Sequence, residues 1–220
     1  RALEFLAPRA LRSRLGVAVA LAVLVFGVVS QPLLQALTVP ALPEIQQRFG
    51  ADQATASWVL MLSASVATPI GGRIGDAFGK RRVFALSLGL LALGSLLAAL
   101  ATSIWLLIAA RVIQGLGSST VPLAFAVLRD QMPAERVRGA IAVTSSLLSV
   151  GFALGIVLAG PILAYLGYHW LFLLPAIAAT LGAVATVLVV PESNSRTRAS
   201  ISLTPALFLA GWLVTLLLGV

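Results

Sequence analysis

Long uncharged stretches alternate with short charged clusters along the whole chain. Leu15–Pro43 carries no charged residue, and neither do Gln53–Gly72, Val83–Ala110, Val112–Leu128, Gly139–Tyr168, Trp170–Pro191 and Ala199–Val220. A helix needs about 20 mostly apolar residues to cross the hydrocarbon core of a bilayer. Six of these runs meet that length, and the run from Val112 meets it when Arg111 lies inside the span. The pattern predicts helices at 15–37, 55–76, 83–101, 104–127, 139–164 and 168–190, with a seventh at 203–220. Pro40 and Pro43 are expected to end the first, Pro133 to mark the loop after the fourth, and Pro191 to end the sixth. The expected organisation is a basic N-terminal segment at 1–14, a six-helix bundle at 15–190, a linker at 191–202 and a seventh helix, cut short, at 203–220.

Composition agrees with the pattern. Of the 220 residues, 60% are hydrophobic and 10% charged, against about 25% charged in an ordinary soluble domain. The mean hydropathy is +1.04. The lipid bilayer is therefore the expected solvent and first partner. A net charge of +8 would suit nucleic acid, but the basic residues do not form one face, and no nucleic-acid partner is expected. The chain has no cysteine and a single histidine, His169. That leaves no basis for a disulfide framework or a metal site. No nucleophile–base constellation appears, so no enzyme and no cofactor are expected.

The loops give a direction. Arg1, Arg9, Arg12 and Arg14 precede the first helix; Arg73, Lys80, Arg81 and Arg82 lie at the second connection. Arg129, Arg136 and Arg138 lie at the fourth, and Arg196 and Arg198 at the sixth. Only Arg48 falls on the other side, with Arg111 inside a helix. The positive-inside rule then places the N-terminus and the even-numbered connections in the cytoplasm of a plasma (inner) membrane protein.

The chain also carries a weak internal repeat. At an offset of 88, Gly72, Ile74, Gly79 and Phe84 fall on Gly160, Ile162, Gly167 and Phe172. The copies lie three helices apart and are therefore inverted in the membrane, a known transporter plan.

Three motifs carry mechanism. The first, Gly72-Arg73-Ile74-Gly75-Asp76-Ala77-Phe78-Gly79-Lys80-Arg81-Arg82, follows the second helix. Its glycines permit a tight turn. Asp76 sits near a helix C-terminus, where the dipole disfavours a carboxylate, so it needs a cation or another helix's N-terminus. The second, Arg111-Val-Ile-Gln114-Gly115-Leu-Gly117, places an arginine in a span at a cost of at least about 2.5–3.5 kcal/mol. Gln114 and Ser118 follow at i+3 and i+7 on its face, and Gly115 and Gly117 allow close packing. The third is Gly151-x3-Gly155-Ile156-x2-Ala159-Gly160, a small-residue packing pattern; upstream, Thr144, Ser145, Ser146 and Ser149 either line a polar cavity or, the favoured reading, bond their own backbone carbonyls.

The first motif resembles the signature loop of the major facilitator superfamily. The second resembles the arginine motif of its fourteen-span drug/proton antiporters. The third resembles their fifth-helix motif, with Ile156 in place of Pro, Ala159 in place of Gly, and His169 where the downstream Arg would stand. The first motif also departs at Ala77, where many members carry Arg. The resemblance implies an all-α integral membrane fold, a six-helix bundle of two inverted three-helix repeats plus a seventh apolar helix. It implies a cytoplasmic gate of Gly72, Asp76, Gly79, Lys80 and Arg81, and a cavity or coupling set of Arg111, Gln114, Ser118, Gln31 and Gln35. Helix packing would fall to Gly115, Gly117, Gly151, Gly155 and Gly160. The implied function is half of a secondary multidrug-type exporter working by alternating access on a small-molecule substrate, with a second half as partner and the proton as a candidate coupling ion. A non-transporting paralogue acting as a membrane assembly partner or sensor is the alternative. No Asp or Glu falls inside the six spans; the acids are Glu4, Glu44, Asp52, Asp76, Asp130, Glu135 and Glu192. A proton carrier would be Glu44, Asp52 or a residue of the other half.

Overall fold

The computed structural model describes residues 14–61, 74–132 and 134–190. The expected basic segment, the linker at 191–202, the helix at 203–220 and gate residue Gly72 lie outside the described residues. Within them the chain is helical. Helix α1 is Arg14–Thr38, α2 Leu42–Phe49 and α3 Gln53–Met61. Helical residues 74–78, labelled α4, precede α5, Lys80–Ala99. Then come α6, Ile104–Leu116, a 3₁₀ turn at Gly117–Ser119, and α7, Thr120–Gln131. Helices α8, Ala134–Tyr165, and α9, Trp170–Val189, complete the order. Among the described residues five helical stretches are long and apolar enough to cross a membrane: Val19–Thr38, Lys80–Ala99, Ile104–Asp130, Ala134–Tyr165 and Trp170–Val189. Helices suit lipid because each satisfies its own backbone polar groups.

Three features depart from the pattern-based expectation. Helix α2 was not anticipated, because Pro43 reads as a terminator. In the structure it occupies the first turn of α2, where the missing N–H is not needed. Buried Ile45 seats α2 on the bundle, and Gly50, at φ 59°, ends it in a left-handed cap. Helix α3 starts two residues early, because Asp52 caps it: the Thr55 N–H donates to Asp52 Oδ1 at 2.9 Å. Hydrogen bonding from Thr55, its side chain first and this N–H second, holds the Asp52 carboxyl below its ordinary range. The third departure is the 3₁₀ turn that interrupts the fourth expected helix.

Helix neighbours run α8, α1, α9, α5, α6 in space, with α7 returning against α5 and α1. Backbones approach closely at glycines. A β-carbon built on Gly117 would lie 2.5 Å from the Ser87 carbonyl oxygen of α5. One on Gly182 of α9 would lie 2.9 Å from the Gly27 Cα of α1. On α8, the same construction puts Gly151 2.6 Å from Val29 Cγ1 and Gly155 2.5 Å from Ala36 Cβ. Gly115 is buried. Gly160, expected to pack, does not: a β-carbon there meets nothing within 4 Å among the described residues. The buried stripe of α8 is Thr144, Gly151, Gly155, Ala159 and Ile162, and Gly160 lies one residue, about 100°, off it.

The contrast gives a test. Gly155→Leu should destabilise the protein by about 1–3 kcal/mol through overpacking, and Gly160→Leu should leave it unchanged. Thermal unfolding of both variants in detergent checks this; equal Tm values for the two would contradict the assigned interface.

Candidate functional site

Arg111 sits on α6, inside a membrane span, and is fully buried. The face that carries it also carries Leu107, Ala110, Gln114 and Gly115, all buried. Ser103 starts that helix by accepting the Leu106 N–H at 3.2 Å. Arg111 Nη2 donates to Thr38 Oγ1 at the end of α1. Thr38 in turn donates to the Leu34 carbonyl at 2.9 Å. The guanidinium carbon lies 5.1 Å from the centre of the Phe172 ring on α9, a cation–π distance. The cation thus binds three helices together through a hydroxyl and a ring face. Its Nε and Nη1 have no hydrogen-bond partner among the described residues, nor has the Tyr168 phenol oxygen. Burial keeps that phenol protonated, raising it above its ordinary range against the opposing pull of Arg111 and Arg48.

The other expected cavity residues divide. Gln114 is buried, and its amide donates to Ser95 Oγ on α5 at 3.0 Å. Ser118 is buried in the 3₁₀ turn. Arg111, Gln114 and Ser118 therefore lie enclosed between helices rather than along an open cavity, because their shared face turns toward α5, α1 and α9. Gln31 and Gln35 are half-buried on α1, with Thr38 one turn further on the same stripe. The hydroxyls of Thr144, Ser146 and Ser149 bond the carbonyls of Ala140, Ala142 and Ser145, four residues back.

At one end of the bundle, Lys80 Nζ lies 2.8 Å from Asp130 Oδ2 and 3.4 Å from Asp76 Oδ1. The lysine therefore ties the signature loop to the last turn of α7. Gly79 makes this possible: at φ 103° it turns the chain between α4 and α5 in a conformation open to glycine. Arg81 Nη1 donates to the Val190 carbonyl at 3.2 Å, closing the C-terminus of α9.

At the opposite end, His169 stands between two helices. Its Nδ1 donates to the Ala99 carbonyl, so Nε2, 3.3 Å from Arg48 Nη2, accepts from the guanidinium. The Arg48 guanidinium stacks 4.7 Å from the Tyr168 ring centre. Sequence reading singled out Arg111 and the loop but not Thr38, Phe172, Tyr168, Asp130 or the clasp at Arg48. Thr38 alone carried a local signal, the i+3 spacing from Gln35.

Residues 19–220 match the Major Facilitator Superfamily. The chain is 31% identical over 180 residues to the protein provisionally named multidrug resistance protein MdtD of Escherichia coli K12, and to that of Shigella sonnei. The match covers 80% of this chain and 38% of the relative. Solved structures of similar fold include the human organic anion transporter MFSD10 (TM-score 0.69, 21% identity, 87% of this chain and 53% of that one). The peptide transporter POT in complex with sulfate is also similar (TM-score 0.72, 17% identity, 90% and 45%), as is a D-xylose–proton symporter (TM-score 0.68, 16% identity, 90% and 53%). The chain belongs to the Major Facilitator Superfamily, a family of multi-pass membrane transporters rather than an enzyme class. It spans 38% of the length of the curated relatives it matches.

Replacing Lys80 by Gln removes the cation shared by Asp76 and Asp130. We expect a loss of about 1–2 kcal/mol, more than the median exposed ion pair because the lysine is largely buried. Unfolding of the variant at low and high salt reads it; wild-type stability at both would show that the bridge contributes nothing.

Proposed function

We propose that this chain forms one half of a secondary transporter that exports small amphipathic compounds. The observation that carries this reading is Arg111: a cation held inside a span with no carboxylate partner among the described residues, where α1, α6 and α9 meet. A fully buried charge is costly and marks function in a membrane protein. The resemblance to MdtD supports compound export. The substrate path would run between this half and a second one, the two rocking against each other.

In this reading the basic end is cytoplasmic and the protein lies in the plasma (inner) membrane. Asp76, Lys80 and Arg81 form the cytoplasmic gate with Gly79 at its turn. Asp76, held by Lys80 yet half exposed, engages the second half when the gate closes. Arg111 couples the halves, exchanging its contacts with Thr38 and Phe172 for others as the helices move. Gln31 and Gln35 line the approach along α1. The proton is the coupling ion.

Arg111→Ala should abolish dye efflux in inverted vesicles while the protein still inserts at wild-type level. Undiminished efflux would remove Arg111 from the mechanism. Collapsing the pH gradient in the same vesicles should stop wild-type transport; transport that continues would exclude the proton.

A further inference from the structure

A groove of about 770 Å³ runs between α1 and α8, within the range of about 300–1,000 Å³ typical of small-molecule sites. It exists because the two helices touch at one level and part at another. Gly151 and Gly155 bring α8 against Val29, Leu33 and Ala36. Nearer the basic end, Gly139 and Ala140 present too little volume to fill the gap. Leu21, Phe26 and Val29 form one wall, and Val143 and Leu147 the other. From Arg136 to Leu147 the α8 wall is about 16 Å long at 1.5 Å per residue.

One charged side chain lines this groove, Arg136, which is exposed in the first turn of α8. Among the described residues Arg136 has no ion-pair or hydrogen-bond partner. Thr144, also on the lining, has its hydroxyl committed to the Ala140 carbonyl. Of the nearest acids, Asp130 is bound by Lys80, and Glu135, exposed like Arg136, does not line the groove. The charged residue buried among the described residues is also a cation, Arg111, and the carboxylates of Asp76 and Asp130 are both held by Lys80. In a low-dielectric setting such a field repels an organic cation and favours an anion. A carboxylate or sulfonate on a guanidinium also gains charge-assisted, bidentate hydrogen bonds.

We infer that the α1–α8 groove binds amphiphilic organic anions, the apolar body lying along Phe26, Val143 and Leu147 and the acidic group on Arg136. The inference rests on the transporter reading in naming these anions as the class of compound carried. Binding alone can be measured without transport, so the two fail separately.

The test uses two probes with one ring system: 1-anilinonaphthalene-8-sulfonate, and N-phenyl-1-naphthylamine, which lacks the sulfonate. The full chain is placed in phosphatidylcholine nanodiscs, and fluorescence is read against empty discs. Saturable sulfonate binding is expected, weakened about tenfold or more by Arg136→Gln and largely retained by Arg136→Lys. The uncharged probe should bind wild type and Arg136→Gln alike. No saturable sulfonate binding, indifference to Arg136→Gln, or equal loss of both probes would overturn the inference. So would a phospholipid found by mass spectrometry on the wild type and absent from Arg136→Gln, since the occupant would then be a membrane lipid. Intact sulfonate binding without dye efflux would retire the transporter reading and leave the site standing.

Discussion

Contact between helix backbones at glycine holds this bundle together. Lipid tails are as apolar as leucine, so burying leucine against leucine gains little inside a bilayer; close van der Waals packing must do the work. Gly117 lets the end of α6 reach the Ser87 carbonyl, and Gly182 lies on Gly27 where α9 crosses α1. These two approaches position everything at Arg111. The first sets α6 on α5, and the second brings α9 and α1 close enough for Phe172 and Thr38 to reach the same guanidinium.

The charges divide by depth. At the ends of the helices several are paired: Lys80 with Asp76 and Asp130, Arg81 with a helix C-terminus, Arg48 with the His169 ring. In the interior the cation meets a hydroxyl and an aromatic face. A carboxylate partner would bind it more strongly and would make any rearrangement costly, because separating a buried pair leaves two uncompensated charges. Neutral partners hold Arg111 in place without that penalty. This suits a group that exchanges contacts between two states of a transporter.

Much of this was legible in the sequence where the physics is local. The spans follow from uncharged runs, because a charge in hydrocarbon is costly wherever it occurs, and Arg111 stood out for the same reason. The turn at Gly79 was readable from glycine followed by a basic cluster. Helix α2 was missed because Pro43 ends one helix pattern and begins another, and the pattern does not say which. The partners were hidden by separation along the chain. Thr38 lies 73 residues from Arg111, and Asp130 lies 50 from Lys80. The α1–α8 groove belongs to no single segment, so no motif announces it. Gly160 was misassigned because counting small residues ignores the 100° that separates it from Ala159.

The 3₁₀ turn at Gly117–Ser119 has a geometric effect on the span it interrupts. Three residues wound at 3.0 per turn advance about 60° further than three wound at 3.6. Everything on α7 is therefore rotated by about that angle from where a continuous helix would carry it. The span behaves as two cylinders keyed to each other out of phase, one presenting Arg111 to α1 and α9, the other presenting Asp130 to Lys80. Straightening the turn would rotate Asp130 by that angle relative to Arg111, so a continuous helix could not hold both charges on their present partners at once.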